Sequence, residues 1–380
     1  MSLELFDLGR RLRAHATGRP VPRMAFAPCL PPTSAIAVEV TRAPRWLVRA
    51  RTVTGQTAQA EGPSALTALR NLGVGLSKSH RTLIVADRQA LRDLLRLAHT
   101  CAGQPELREV ATTVAWWTQR AEHPGSGAIH IATDQARARW SLGTSPEAEF
   151  SLRAWQSWLR LPTDTPASLI ALAAHTSAGG TLPGLLDAHT TDTYSWQHQL
   201  DQARRDWRTP DTRIEAALGL ATRCDAAEYY ASLLLDDPLV ALRETYTGQV
   251  VTGAISHIAK PTTTITAQRP LSRLRPGTHV DGWAGDALST ERTGISATVV
   301  ATTIDPSGHL HITIDQALRL PIGQIVTLRP RRVSAFQQAR ARRNARDRHR
   351  RQANWIAGRD VPPTRRREIP LDIVVAAADH

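Results

Sequence analysis

Residues 247–258 read TGQVVTGAISHI, in which apolar residues alternate with small or polar ones at a period of two. Five further segments repeat the pattern: 262–269 (TTTITAQR), 278–284 (THVDGWA), 294–304 (GISATVVATTI), 309–315 (HLHITID) and 324–330 (QIVTLRP). Thr, Val and Ile dominate them, and breakers at Pro276-Gly277, Pro306-Ser307-Gly308 and Pro321-Ile322-Gly323 fall between them. Period-two alternation with β-branched residues marks strands that bury one face. An antiparallel sheet of six short strands hides its edges by closing, so the stretch predicts a small antiparallel β-barrel domain over 246–332.

The last of these strands runs straight into RPRRVSAFQQARARRNARDRHRR (329–351), which sets ten arginines against the single acid Asp347. The chain has a formal net charge of +13 at pH 7. Residues 329–380 hold +9 of it, with 14 arginines against Asp347, Asp360, Glu368, Asp372 and Asp379. No Pro or Gly interrupts 335–351, so a basic helix of about 25 Å is expected there, at the start of a segment 333–380 that ends in a tail. Its arginines point nearly all round, leaving little apolar surface to bury, and like charges three and four apart repel. Such a helix calls for an anionic partner, and the guanidinium fork matches phosphate oxygens. The expected nucleic-acid-binding residues are Arg329, Arg331, Arg332, Arg340, Arg342, Arg343, Arg346, Arg348, Arg350 and Arg351, with Arg269, Arg273 and Arg275 of QRPLSRLRPG extending the surface. The blander alternative is a solvated basic tail whose preference for Arg over Lys (only Lys78 and Lys260) reflects genome composition.

Upstream, residues 1–34 combine a short amphipathic helix, with Leu3, Phe6, Leu8 and Leu12 toward one side, and a connection carrying five prolines. Residues 35–143 read as an α/β domain. AIAVEVT, RWLVRARTV and QTAQAEG alternate as strands, SALTALRNLGVGL is helical after Pro63, and RTLIVA is a buried strand. DRQALRDLLRLAH is a helix capped by Asp87, ELREVATTVAWWTQRA another helix, and AIHIAT a strand followed by Asp134 as a cap. Residues 144–245 are predicted to form a separate helical bundle. Its first helix opens with a capping box of Ser145 with Glu147 and Glu149, and its third carries Arg204, Arg205, Trp207 and Arg208 as a basic and aromatic cluster. Most of the ten tryptophans, including Trp116, Trp117, Trp155 and Trp158, are expected in the core.

The order of three strands, helix, strand, helix resembles the ribonuclease H-like fold over residues 35–135. AEGPSALTALRNL is similar to that family's Glu-led first helix, and TLIVADRQALRDLL to its strand-four Asp segment. The resemblance implies that Glu61 and Asp87 take two metal-binding carboxylate positions, with Glu39 standing where the family's first strand supplies an Asp and Asp134 as a fourth. Carboxylates sharing Mg2+ would hold a phosphate and generate an attacking hydroxide. The resemblance also covers transposases and integrases that join such a core to a β-barrel and a basic C-terminus. The missing aspartate argues that catalysis and the metal are lost, and helix capping accounts equally for Asp87 and Asp134.

Composition narrows the remaining classes. No apolar run approaches the ~20 residues of a membrane span, and MSLELFDLGRRLRAH does not read as a secretion signal, so no membrane partner and a cytoplasmic location are expected. Cys29, Cys101 and Cys224 form no CxxC pair and read as buried, inert thiols. His309 and His311 share a strand face with no acidic partner in view, so no cofactor is expected. Phosphate-loop and GxSxG motifs are absent. The expectation is a nucleic-acid-binding protein, DNA or RNA, without catalytic activity. The alternatives are a metal-dependent nuclease or strand-transfer enzyme, and a scaffold that holds an acidic protein partner within a larger assembly.

Overall fold

Alternation along residues 35–61 produces a meander of β2 (Ala35–Thr41), β3 (Leu47–Thr52) and β4 (Thr57–Glu61), following a two-residue β1 (Val21–Pro22). The computed structural model describes residues 3–23, 34–42, 45–75, 81–101, 103–177, 185, 192–193, 195–196, 213–289 and 294–332. The chain divides into two compact units, Met1–Thr209 with Arg223–Ala335, and Pro210–Thr222 with Phe336–His380. The expected basic helix, the Arg204–Arg208 cluster and Cys29 lie outside the described residues.

In the first unit the meander joins two more strands, β5 (Thr82–Val85) and β6 (Ile129–Ile131), in a sheet of order β4-β3-β2-β5-β6. The meander is antiparallel, whereas β5 runs parallel to β2 and β6 parallel to β5. Helices α2 (Ser64–Asn71), α3 (Arg88–Thr100) and α4 (Arg108–Arg120) cover one face, burying Leu66, Leu69, Leu94, Leu97, Val114 and Trp117 against Ile36, Val38 and Leu83. Asp87 caps α3 as expected, its Oδ1 accepting from the Ala90 amide at 2.8 Å.

The opposite face holds Ala35, Ala37 and Ile84. It is covered by α5 (Ala132–Arg139), α6 (Leu152–Leu159) and α7 (Thr165–Ser177) through Ala136, Trp155, Leu169, Leu172 and Ala173. This corrects the boundary drawn at residue 143: the helices of 144–177 are the third layer of the α/β domain, not the start of a separate bundle. A strand sequence buried on both faces requires such a layer. Trp116, Trp117 and Trp155 are core, and each indole N–H finds an acceptor: Ser195 Oγ, the Arg81 carbonyl and the Glu149 carbonyl.

Three capping and packing expectations change. Asp134 lies inside the first turn of α5 and pairs with Arg88 at 3.2 Å instead of capping. Ser145 makes no cap hydrogen bond, and Glu149 turns inward. The N-terminal helix α1 (Leu3–Thr17) leaves Leu5, Phe6, Leu8 and Leu12 exposed and docks by its polar side. Arg11 reaches the buried Glu149 (Nη1 to Oε1, 2.7 Å) and Asp7 (2.7 Å), while Arg23 joins both carboxylates. Glu149 also accepts from the amide of Leu142 at 2.8 Å, next to β7 (Trp140–Ser141), the partner of β1. Gly143 lets α1 approach, since a Cβ there would lie 2.4 Å from the His15 backbone nitrogen.

His130 on β6 is fully buried beside Thr176 of α7, Nε2 to Oγ1 3.1 Å. Burial pushes its pKa down to about 4, and burial with the nearby Arg120 charge does the same for His123. The unfolded chain therefore takes up these protons near pH 6.5, before the native state can. Stability present above pH 6.5 is lost as pH falls toward 4, by about 3 kcal/mol for His130 alone. Urea unfolding at pH 7, 5.5 and 4 measures this, and a His130→Gln variant should show the shallower decline.

After α8 (Arg213–Leu234) and α9 (Pro238–Glu244) the predicted strands follow as β8 (Val251–Ala259), β9 (Thr262–Ala267), β10 (His279–Ala284), β11 (Ile295–Ile304), β12 (Leu310–Ile314) and β13 (Ile325–Pro330). They form a closed antiparallel barrel of order β10-β11-β12-β9-β8-β13, in which β13 pairs with both β8 and β10. Ile255, Ile265, Val280, Val299, Ile312, Ile314, Val326 and Leu328 fill it. Register shifts at Ile255/His257 and Val299/Ala301 supply the local bends that closure needs. At Gly253 an added Cβ would sit 2.4 Å from the Thr266 carbonyl oxygen. Gly253→Ala is expected to destabilise the barrel by about 1–3 kcal/mol, read as a lower thermal midpoint.

Candidate nucleic-acid interface

The arginines that leave β13 are held within the molecule. Arg329 Nη1 lies 2.6 Å from Asp236 Oδ1, and Arg332 Nη1 lies 3.0 Å from Asp236 Oδ2. Arg331 Nε is 3.0 Å from Asp281 Oδ1, and its Nη2 donates to Ser296 Oγ. Asp236, in the connection between α8 and α9, thus bridges two guanidinium groups, and the Arg329 guanidinium also lies 5.8 Å from the centre of the Trp283 ring. A phosphate would have to displace a carboxylate at each of these positions. The structure therefore gives Arg329, Arg331 and Arg332 intramolecular partners, while Arg340, Arg342, Arg343, Arg346, Arg348, Arg350 and Arg351 lie outside the described residues.

A different set of arginines is open. The connection from β9 to β10 alternates in burial over 271–275: Ser272 and Leu274 are buried, while Leu271, Arg273 and Arg275 are exposed. Leu274 belongs to the barrel core, and Ser272 Oγ accepts from its amide at 2.9 Å. The Arg273 amide donates to the Gly248 carbonyl at 2.8 Å, and Thr278 closes the turn by donating to the Arg275 carbonyl at 2.9 Å. Gly248, at φ +74°, lets the two backbones meet, since a Cβ there would lie 3.0 Å from Ser272 Cα. A backbone fixed in this way carries Arg273 and Arg275 at alternate, exposed positions. Neither they nor Arg269 make an ion pair with any described residue.

Arg269 sits over the Tyr246 ring, its guanidinium carbon 3.7 Å from the ring centre. Tyr246 is nevertheless 62% exposed. Beside Arg269 lies a small surface dimple lined by Thr245, Val250, Val251, Thr252, Gln268, Arg269 and Leu271.

Comparison with protein-family models, curated proteins and solved structures finds no match to this chain.

The carboxylates that the ribonuclease H-like resemblance singled out are not brought together. Glu39, on β2, is claimed by Arg49 of β3, its cross-strand partner, through Nε at 2.5 Å and through Nη2. Arg49 also reaches Asp164 at 3.7 Å. Glu61 ends the edge strand β4, two strands from Glu39 in the sheet order, and Asp87 is occupied in capping α3. Among the described residues no group of three His, Cys, Asp or Glu side chains could hold a metal ion. These residues do not fit a shared Mg2+.

His309 and His311 do share a face, and the acid missing from the sequence reading is Asp305, across their own hairpin. It lies 3.1 Å from His311 Nε2 and 3.4 Å from His309 Nδ1. The amide of His309 and the His311 side chain hold the Asp305 pKa down at about 2. Cys101 is buried as expected, whereas Cys224 is exposed. No helix among the described residues is long and apolar enough to cross a membrane.

Sequence reasoning missed Tyr246. It lies between a helix and a strand, 23 positions before Arg269, and no local pattern joins the two. The alternation of LSRLR (271–275) was a usable signal, since a period of two persists there between the strands.

Proposed function

We propose that this chain is a nucleic-acid-binding protein without catalytic activity. Its barrel binds backbone phosphates through Arg269, Arg273 and Arg275, together with the arginines of 340–351. The observation that carries the reading is the contrast between two sets of barrel arginines. Those at 329–332 are neutralised by Asp236 and Asp281. Those at 269–275 project from a fixed backbone with no carboxylate partner among the described residues. Guanidinium groups held outward without a counter-charge suit a polyanion.

The element order β2–β3–β4–α2–β5–α3, with its first three strands antiparallel, supports reading residues 35–135 as a ribonuclease H-like scaffold. The dispersal of Glu39, Glu61 and Asp87 favours a scaffold without the family's chemistry over a nuclease or strand-transfer enzyme. Base-reading specificity is not part of the proposal, because phosphate contacts carry none.

Fluorescence anisotropy with single- and double-stranded DNA and RNA at two ionic strengths tests the reading. Binding that weakens steeply with salt is the expected result. Affinity indifferent to salt, or equal affinity for polyglutamate of matched charge, would overturn it and leave a scaffold for an acidic protein.

A further inference from the structure

We propose that Tyr246 and Arg269 form a stacking platform for an unpaired base, so that the preferred ligand is single-stranded nucleic acid. This rests on the nucleic-acid reading and names its substrate class.

A surface tyrosine in an ordinary fold lays its ring on the protein and leaves its hydroxyl wet. Tyr246 does otherwise. Its backbone is fixed, the amide donating to the Arg243 carbonyl at 3.1 Å, yet its side chain stands 62% exposed. One ring face is taken by the Arg269 guanidinium at 3.7 Å. With one face covered and most of the residue still in solvent, the second face is open. Arg269 braces the ring there by a cation–π contact and adds a positive charge beside it.

The adjoining dimple offers apolar walls in Val250, Val251 and Leu271 and polar groups in Thr245 and Gln268, which are features a flat heterocycle can use. The dimple is too small to enclose a small molecule, having room for little more than a water. A planar group resting on the surface suits it better. From Arg269 the chain continues directly to Arg273 and Arg275, which face solvent within six residues of the platform. An aromatic face beside a line of open cations is the arrangement that binds single strands, because every base has a π-face and only an unpaired base exposes it. In a duplex the base faces are stacked on one another, leaving Tyr246 nothing to receive.

The test uses the full chain with a fluorescent oligothymidylate and a hairpin-free duplex of equal phosphate count, for wild type, Tyr246→Ala, Tyr246→Trp and Arg275→Ala. Tyr246→Ala is expected to weaken single-strand binding about 5- to 150-fold and to leave duplex binding within twofold. Tyr246→Trp should retain single-strand affinity, and Arg275→Ala should weaken both ligands alike. Equal losses on both ligands for Tyr246→Ala, or no loss on either, would overturn the platform while salt-dependent binding upholds the broader reading. Wild type that binds neither ligand would overturn both. Thermal midpoints of the variants, expected to match wild type at these exposed positions, separate loss of contact from loss of fold.

Discussion

Raising the salt from 50 to 200 mM is expected to weaken binding to duplex DNA by about 10³- to 10⁵-fold, the range for six to ten neutralised phosphates. Arg269, Arg273 and Arg275 with the seven arginines of 340–351 make ten candidates. The structure sharpens the expectation residue by residue. Arg273→Ala or Arg275→Ala should each lower the slope of log affinity against log salt by about one, since each removes a cation with no carboxylate partner among the described residues. Arg331→Ala should leave the slope unchanged, because that guanidinium is already matched by Asp281 at 3.0 Å. If Arg331→Ala flattened the slope and Arg275→Ala did not, the division of the barrel arginines into engaged and open sets would be wrong.

Glu149→Gln is expected to cost about 3–5 kcal/mol, the largest single-site effect on stability in the α/β domain. The carboxylate is 1% exposed and gathers Arg11, Arg23 and the Leu142 amide. Burial alone would push the Arg11 pKa down, yet its hydrogen bonds to Glu149 and Asp7 hold it above the ordinary arginine value. Removing the Glu149 charge leaves Asp7 as the only carboxylate among the described residues to balance two largely desolvated arginines, and that uncompensated charge is the main cost. The neighbouring surface substitution Glu147→Gln should stay within about 0.5 kcal/mol. Denaturant unfolding measures both, and trypsin cleavage at Arg10 and Arg13 should accelerate in Glu149→Gln as α1 loosens. A cost under 1 kcal/mol would mean that α1 is held by something other than this ion pair.

The barrel was legible because its determinants are local: strand period, β-branched residues and Pro-Gly turns all lie within each segment. The meander of 35–61 was legible for the same reason. Packing partners were not. The stripes of α6 and α7 announce a buried face, but Trp155 and Leu172 do not say whether helices or a sheet lie opposite. The leucines of α1 pointed to a docked apolar face, whereas Arg11 had its partner 138 residues away in Glu149, and the ion pair decided the orientation. Arg329 and Arg332 likewise find their partner far off, since Asp236 lies nearly a hundred residues earlier. The ribonuclease H-like resemblance makes Glu39 a metal ligand, although pairing β2 with β3 sets it opposite Arg49.

The closure of the barrel by β13 fixes an order of events at the ribosome. Strand β8 has β9 beside it as soon as that hairpin emerges, but its other side, like the free side of β10, waits for residues 325–330. Until then the nascent chain carries two unsatisfied strand borders, the condition that invites intermolecular pairing. Contacts spanning more than seventy positions also make closure the slow, entropy-limited step of this domain. A chain truncated before Ile325 should therefore accumulate as aggregate rather than as a smaller soluble barrel, with the loss appearing during synthesis and not after it.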